Sequence, residues 1–276
     1  MDVNPRQIFL NSDHASFQFK LPNGLPDSSS VLFDFQEPII APNNYQMSIG
    51  VISFMMPASW NRVNENNNKI YLTSSLGASN QLIEIPIGSY NVSTLRTKLN
   101  ELFNPYSITI TYDIPTNQYI FSITATNDFS FLSSSTALRL LGFTIKTAHT
   151  STGTTLQSNS VVDLSGISQL YISTSLQTHN YDSRTKKLSN ILCVIPVNQQ
   201  SNGILQYTNH VPNRNIINPT VISRLHVFVS DEDGHLVDLR QARWSAVLVI
   251  NFVQNVLNVV PNKIETQDIK PNNVGN

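Results

Sequence analysis

The chain of 276 residues carries 17 Lys and Arg against 18 Asp and Glu, a formal net charge of −1, with only 13% of its residues charged. That balance, with no basic run, excludes an electrostatic footprint for nucleic acid and gives no preference for acidic substrates. At 40% hydrophobic the chain can bury one large β domain or two small ones, and its Asn, Ser and Thr suit sheet surfaces and assemblies better than a freely diffusing acidic enzyme.

Residues 1–14 read as a polar N-terminal arm, and its start, MDVNPRQIFL, has an early Asp and no apolar segment of the signal-peptide kind. No run approaches the length of a membrane span. The first strand is predicted at residues 16–21, with Phe17, Phe19 and Leu21 on one face and Pro22-Asn23-Gly24 closing it. Residues 31–35 alternate Val31, Phe33 and Phe35. Residues 45–54 alternate Met47, Ile49 and Val51, then change phase at Ile52 and Phe54, which predicts a β-bulge. Pro57 ends that strand, and an Asn-rich loop over 61–68 leads to a short strand at 69–73.

The middle of the chain differs. A short strand at 82–86 and the turn Gly88-Ser89-Tyr90 precede an amphipathic helix over 92–103, with Asn91 placed to cap it. Leu95, Leu99, Leu102 and Phe103 share one helix face, and Asn104-Pro105 stops the helix. Strands follow at 107–112 and 118–124, joined by a hairpin loop at 113–117. A helical turn over 136–141 ends at Gly142, a C-terminal cap glycine.

Residues 147–160 are rich in Thr, Ser and Gly and read as a loop. Strands return at 169–174, 188–197, 203–207 and 221–229. In the last of these, Leu225, Val227 and Val229 alternate with Arg224 and His226, the period of a half-buried strand. Asp233-Gly234 supplies the positive φ of a tight turn. A Gln/Arg-rich link then enters residues 247–252, apolar on both faces as a strand inside a sandwich would be. The tail over 261–276 is polar and holds Pro261 and Pro271.

Short strands at regular spacing predict an all-β fold, a single jelly-roll β-sandwich with a small α+β insertion. Its parts are an arm (1–14), a first roll segment (15–76), the insertion (77–159), a second roll segment (160–260) and a tail (261–276). Both roll segments are needed to complete the sheets. Two rolls plus the insertion would not fit within 276 residues.

Chemical motifs are few. Cys193, the one cysteine, lies in an apolar run; it cannot make an internal disulfide and reads as a buried small hydrophobe in a protein kept in a reducing compartment. Asp231-Glu232-Asp233-Gly234 hints at calcium, but the earlier acidic position of an EF-hand holds Val229, so a hairpin turn is the better reading. His179, Asp182 and Ser183 are mere neighbours in sequence, and His210, His226 and His235 lack metal-ligand spacing. His226 falls opposite Leu225 and Val227, on a solvated or interface face. Asn91-Val92-Ser93 matches a glycosylation acceptor, yet the cap role fits better. Tyr90, Trp60 and Trp244 would line a sugar site or, more simply, serve as buried anchors or subunit contacts. No phosphate-binding or nucleophile-elbow motif is present. No catalytic, cofactor-binding or metal-binding residue is assigned, no cofactor is expected, and the chain does not read as an enzyme.

Five segments in order resemble the penton, or minor capsid, proteins of virophages and Polinton-like viruses. They are MSIGVISFMMPASWNRVN at 47–64, IEIPIGSYNVSTLRTKL at 83–99, LLGF at 140–143, DLSGISQLYIST at 163–174, and the closing stretch 222–253 with its DEDG turn and Trp244. The resemblance covers nearly the whole chain except the two ends. It implies a single jelly-roll viral structural protein that forms homopentameric capsomers at the five-fold vertices of an icosahedral capsid. Its partners would be copies of itself and a double jelly-roll major capsid protein, with a host receptor as a further partner for the insertion. Its location would be the virion, after assembly inside the host cell. The alternative is a carbohydrate- or receptor-binding jelly-roll module of a virion spike.

Overall fold

The computed structural model describes residues 4–254, apart from 21–23, 25, 76, 125–127, 184, 200–202 and 213. In chain order the first part contributes β1 (Arg6–Asn11), β2 (Phe17–Lys20), β3 (Pro26–Ile40) and β4 (Tyr45–Pro57). The middle contributes β5 (Lys69–Ser74), β6 (Ala78–Glu84), α1 (Val92–Phe103), β7 (Ile108–Asp113), β8 (Gln118–Ile123), β9 (Phe129–Phe131), β10 (His149–Thr150) and β11 (Thr155–Gln157). The last part contributes β12 (Gln169–Thr174), β13 (Tyr181–Asp182), β14 (Lys187–Leu188), β15 (Ile191–Pro196), β16 (Ile204–Thr208), β17 (Asn215–Ile217), β18 (Val221–Ser230) and β19 (Ser245–Gln254).

The pairing is that of one long hairpin rolled on itself. The first strand, β1, pairs with the last, β19; β3 pairs with β18; β4 pairs with β16 and β17; and β12 pairs with β15, all antiparallel. Rolling brings β19 beside β4 and β18 beside β12. Two five-stranded sheets result, ordered β1-β19-β4-β16 with β17 also on β4, and β15-β12-β18-β3-β2. Each sheet takes strands from both the first and the last part of the chain.

Alternation places the core between the sheets. Ile8, Leu10, Met47, Ile49 and Leu248 of the first sheet bury against Val31, Phe33, Ile172, Leu225 and Val227 of the second. Trp244 closes this core at 2% exposure. Its indole Nε1–H donates to the Ser28 carbonyl at 2.6 Å, and its ring stacks on Phe54 at 5.4 Å. The predicted bulge is present. Val247 stands opposite Ser53 and Leu248 opposite Val51, which leaves Ile52 without a partner in that ladder. The extra residue reverses the phase, so Phe54 and Met56 point inward after Val51.

Several segments differ from expectation. Residues 6–11 are not an arm but strand β1, with Ile8 and Leu10 in the core. Only two inward positions carry apolar residues there, too few for the alternation to show against polar neighbours. Phe17 and Phe19 of β2 face solvent, at 54% and 37% exposure. The loop expected at 147–160 carries the short strands β10 and β11. The strand expected at 188–197 breaks between β14 and β15, and residues 31–35 are the middle of the much longer β3. The tail over 261–276 lies outside the described residues.

The insertion joins β4 to β12 and has its own core. One sheet is ordered β10-β9-β5-β6 and the other β11-β8-β7. Helix α1 packs Leu95, Leu99 and Phe103 inward. Its capping box is complete: Asn91 Oδ1 accepts from Thr94 N at 2.9 Å, and Thr94 Oγ1 accepts from Asn91 N at 3.0 Å. Asn100 covers the edge strand β7, donating to the Ile110 carbonyl at 2.9 Å and accepting from Ile110 N at 2.8 Å. Rings of Phe103, Phe121, Phe131 and Phe143 meet at 5.0–5.9 Å. This second core begins at Val63 and includes Ile70 and Leu72, so β5 belongs with the insertion. The expected boundary at 76/77 therefore falls inside the β5–β6 hairpin, where Ser74 pairs with Ala78. The sequence placed it too late because β5 alternates just as the roll strands do.

Candidate interaction surfaces

Alternation leaves the opposite half of each strand on the outside of the roll. On the first sheet Phe9, Val247, Ser53 and Thr208 run in register across β1, β19, β4 and β16. Phe9 is 75% exposed, and beside it a groove of about 340 Å3 runs past Met55 and Gln206. Ile204, at the edge of this face, is also exposed.

The outside of the second sheet carries an aromatic row. Phe17 and Phe19 meet edge to face at 4.8 Å, Phe19 stacks on His226 at 4.4 Å, and His226 lies 4.0 Å from Phe228. A ring nitrogen of His226 bonds Ser30 Oγ at 3.0 Å. Burial among these rings lowers the His226 pKa below the ordinary histidine value, which favours the neutral ring. Arg224 and Asp34 pair at 2.6 Å farther along the same strands. Thus both outer faces expose large apolar side chains, and they do so with different residues.

A third feature sits where the insertion meets the roll. The chain leaves β4 through Ala58, whose N–H donates to the Gly203 carbonyl at 2.8 Å, and Ser59, whose Oγ donates to the Leu239 carbonyl at 2.7 Å. It returns beside its own exit, since a Cβ on Gly166 would stand 3.7 Å from the Arg62 Cα. Between this junction and the turn after β18 lies a cleft of about 220 Å3. Trp60, Ile87, Ile167 and Val237 form apolar walls, while Glu65, Asp231 and Asp238 bring carboxylates and His235 an imidazole. Asp231 Oδ1 builds the turn by accepting from Asp233 N at 3.0 Å and His235 N at 2.8 Å.

The residues weighed in the sequence fall as follows. Cys193 is a buried free thiol whose pKa burial pushes up to about 12. Asp231 to Gly234 form a turn, with Gly234 at φ +88°. A ring nitrogen of His179 bonds Asn218 Oδ1 at 2.8 Å, Asp182 pairs with Lys187 in the β13–β14 ladder, and Ser183 follows it on the surface. His226 lies in the aromatic row, His235 sits 3.4 Å from Asp231, and His210 lies in the loop after β16. Trp60 lines the junction cleft, Trp244 anchors the core, and the Tyr90 hydroxyl donates to the Pro86 carbonyl at 2.9 Å, so the three aromatics form no common site. Among the described residues, no group of three or more His, Cys, Asp or Glu is placed to hold a metal ion. No helix among them is long and apolar enough to cross a membrane. Sequence reasoning missed the outward aromatic row, because Phe17 and Phe19 at alternate positions look the same whichever face is buried.

The strand order defines an all-β, single jelly-roll protein with an inserted α+β unit. No model of a known protein family matches the chain, and no curated protein matches it in sequence. Among solved structures, the crystal structure of the mavirus penton protein is similar over 90% of this chain and 100% of that one, with 13% identity and a TM-score of 0.44.

Proposed function

We propose that this protein is a viral structural protein, a penton-type minor capsid protein whose rolls associate into rings at five-fold vertices and contact a major capsid protein. The observation that carries the reading is the pair of unlike apolar outer faces. A closed ring needs a heterologous contact, in which one surface of each copy meets a different surface of the next. Phe9 and Met55 on one face and the Phe17–Phe19–His226–Phe228 row on the other provide two such surfaces. Aromatic residues and Met are enriched in contacts of this kind, and isolated soluble domains seldom leave them unpaired. The ordered motifs that resemble virophage pentons support the same reading. The insertion, held where its two ends meet at Arg62 and Gly166, would project without disturbing the roll.

The test is native mass measurement and electron microscopy of the purified chain with and without the major capsid protein. Closed five-membered rings are expected. Phe9→Asp and Phe19→Asp should each stop ring closure, because each spoils one face. Mixed together, the two variants should form a one-to-one pair through their intact faces. Wild-type protein that stays monomeric with its capsid partner, or variants that still close rings, would overturn the proposal.

A further inference from the structure

We propose that the junction cleft is a binding site for an arginine side chain presented by a partner protein. The cleft is divided in the way such a side chain requires. Within the cleft of about 220 Å3, Trp60, Ile87, Ile167 and Val237 offer apolar walls for the aliphatic stem. Glu65, Asp231 and Asp238 supply carboxylates, against His235 as the one base among the described lining residues. A neutral ligand would leave that excess of negative charge uncompensated, while a cation offsets it.

The carboxylates differ in what they still have to give. Asp231 is engaged in building its turn. Asp238 uses Oδ1 to accept from Arg240 N at 2.9 Å, and its Oδ2 remains for a ligand. Arg62 and Arg139 line the adjoining cavity rather than this cleft, and each has a partner there: Arg62 donates to the Tyr90 carbonyl at 3.4 Å, and Arg139 pairs with Asp163 at 3.5 Å. A guanidinium suits the site better than an ammonium, since its planar fork meets carboxylates in two directions and its weakly hydrated face tolerates the apolar walls. The walls come from the stretch leaving β4, the stretch entering β12 and the turn after β18, so an occupant would tie the insertion to the roll. The inference stands apart from ring formation and is tested on the unassembled chain.

The experiment is a titration of the full chain followed through its two tryptophan indole N–H signals. The probes are the capped peptide Gly-Arg-Gly, its citrulline counterpart and a panel of methyl glycosides. Gly-Arg-Gly should shift the Trp60 signal saturably, with a Kd on the order of 1 mM, and leave Trp244 unmoved as an internal record of the fold. Citrulline has nearly the same shape without the charge and should bind at least about tenfold more weakly. Asp238→Asn should weaken Gly-Arg-Gly by about tenfold and Glu65→Gln by less, with Trp244 unchanged in both. Equal responses to the arginine and citrulline peptides, no response to either, or a glycoside response in their place would overturn the proposal.

Discussion

Gly142 shows how one residue holds the insertion together. At φ +81° it ends the turn with Phe143 N donating to the Leu138 carbonyl at 2.8 Å and its own N–H donating to the Arg139 carbonyl at 3.1 Å. A Cβ there would stand 2.5 Å from the Ser160 carbonyl oxygen. Gly142→Ala should therefore destabilise the protein by about 1–3 kcal/mol, read by urea denaturation, because backbone strain and the clash act together. Cys193 makes a second residue-scale test. Its thiol, pushed up to about 12 by burial against an ordinary 9.0, keeps its proton in the folded state after the unfolded chain has lost it. The stability it contributes is complete below the unfolded pKa and is lost as pH rises toward the folded one. The loss should be about 1.4 kcal/mol per pH unit across that window, and Cys193→Ala should lack this part of the alkaline slope. At pH 8 the native thiol should react with a disulfide reagent far more slowly than the denatured chain.

Among the elements, β1 is the one whose role most changes expectation. Its pairing with β19, from Arg6 opposite Ile250 to Asn11 opposite Ser245, completes the first sheet. Deleting residues 1–11 removes Ile8 and Leu10 from the core and bares the edge of β19. Each lost side chain is worth about 1.5–3 kcal/mol, so the melting temperature should fall by about 10 °C or more. A truncated chain that melts with the full-length protein would show that the first sheet is stable without this strand. The helix depends on a different device. Asn91 caps its start, and Asn100 ties its middle to the backbone of β7, so α1 shields an edge that would otherwise be open to another chain.

At the scale of the molecule, the two cores form separate clusters, and the chain passes between them where Arg62 lies beside Gly166. Replacing residues 63–165 with a short Gly/Ser linker should leave a folded roll with its β-type circular dichroism. An insoluble or unfolded product would mean that the roll needs the insertion. The cut must include β5, since Lys69–Ser74 pairs with both β6 and β9. The outer faces proposed as ring contacts are mostly apolar and neutral-polar, with Arg224–Asp34 as an exposed pair on one of them. Ring formation should therefore change little with ionic strength, checked by native mass across a salt series. Dissociation by moderate salt alone would point to ion pairs as the main contact.

Features governed by near neighbours were legible in the sequence. The phase change at Ile52, the cap at Asn91 and the glycine end at Gly142 each follow from a few adjacent residues, because backbone sterics and short-range hydrogen bonds act over one or two turns. The jelly-roll class was legible too, from strand number and spacing. Position within the roll was not. Whether Phe17 and Phe19 face inward or outward depends on which side of β3 is buried, and that depends on β18, far along the chain. Trp60 and Trp244 are alike as letters and both join the roll core, yet Trp60 also lines a cleft, and only the meeting of the stretch after β4 with the stretch before β12 and the turn after β18 creates that cleft. The sequence by itself determined the periods, the stops and the turns. Tertiary structure decided which face of each strand met another sheet and which met solvent, because burying apolar surface rewards partners that sequence distance does not reveal.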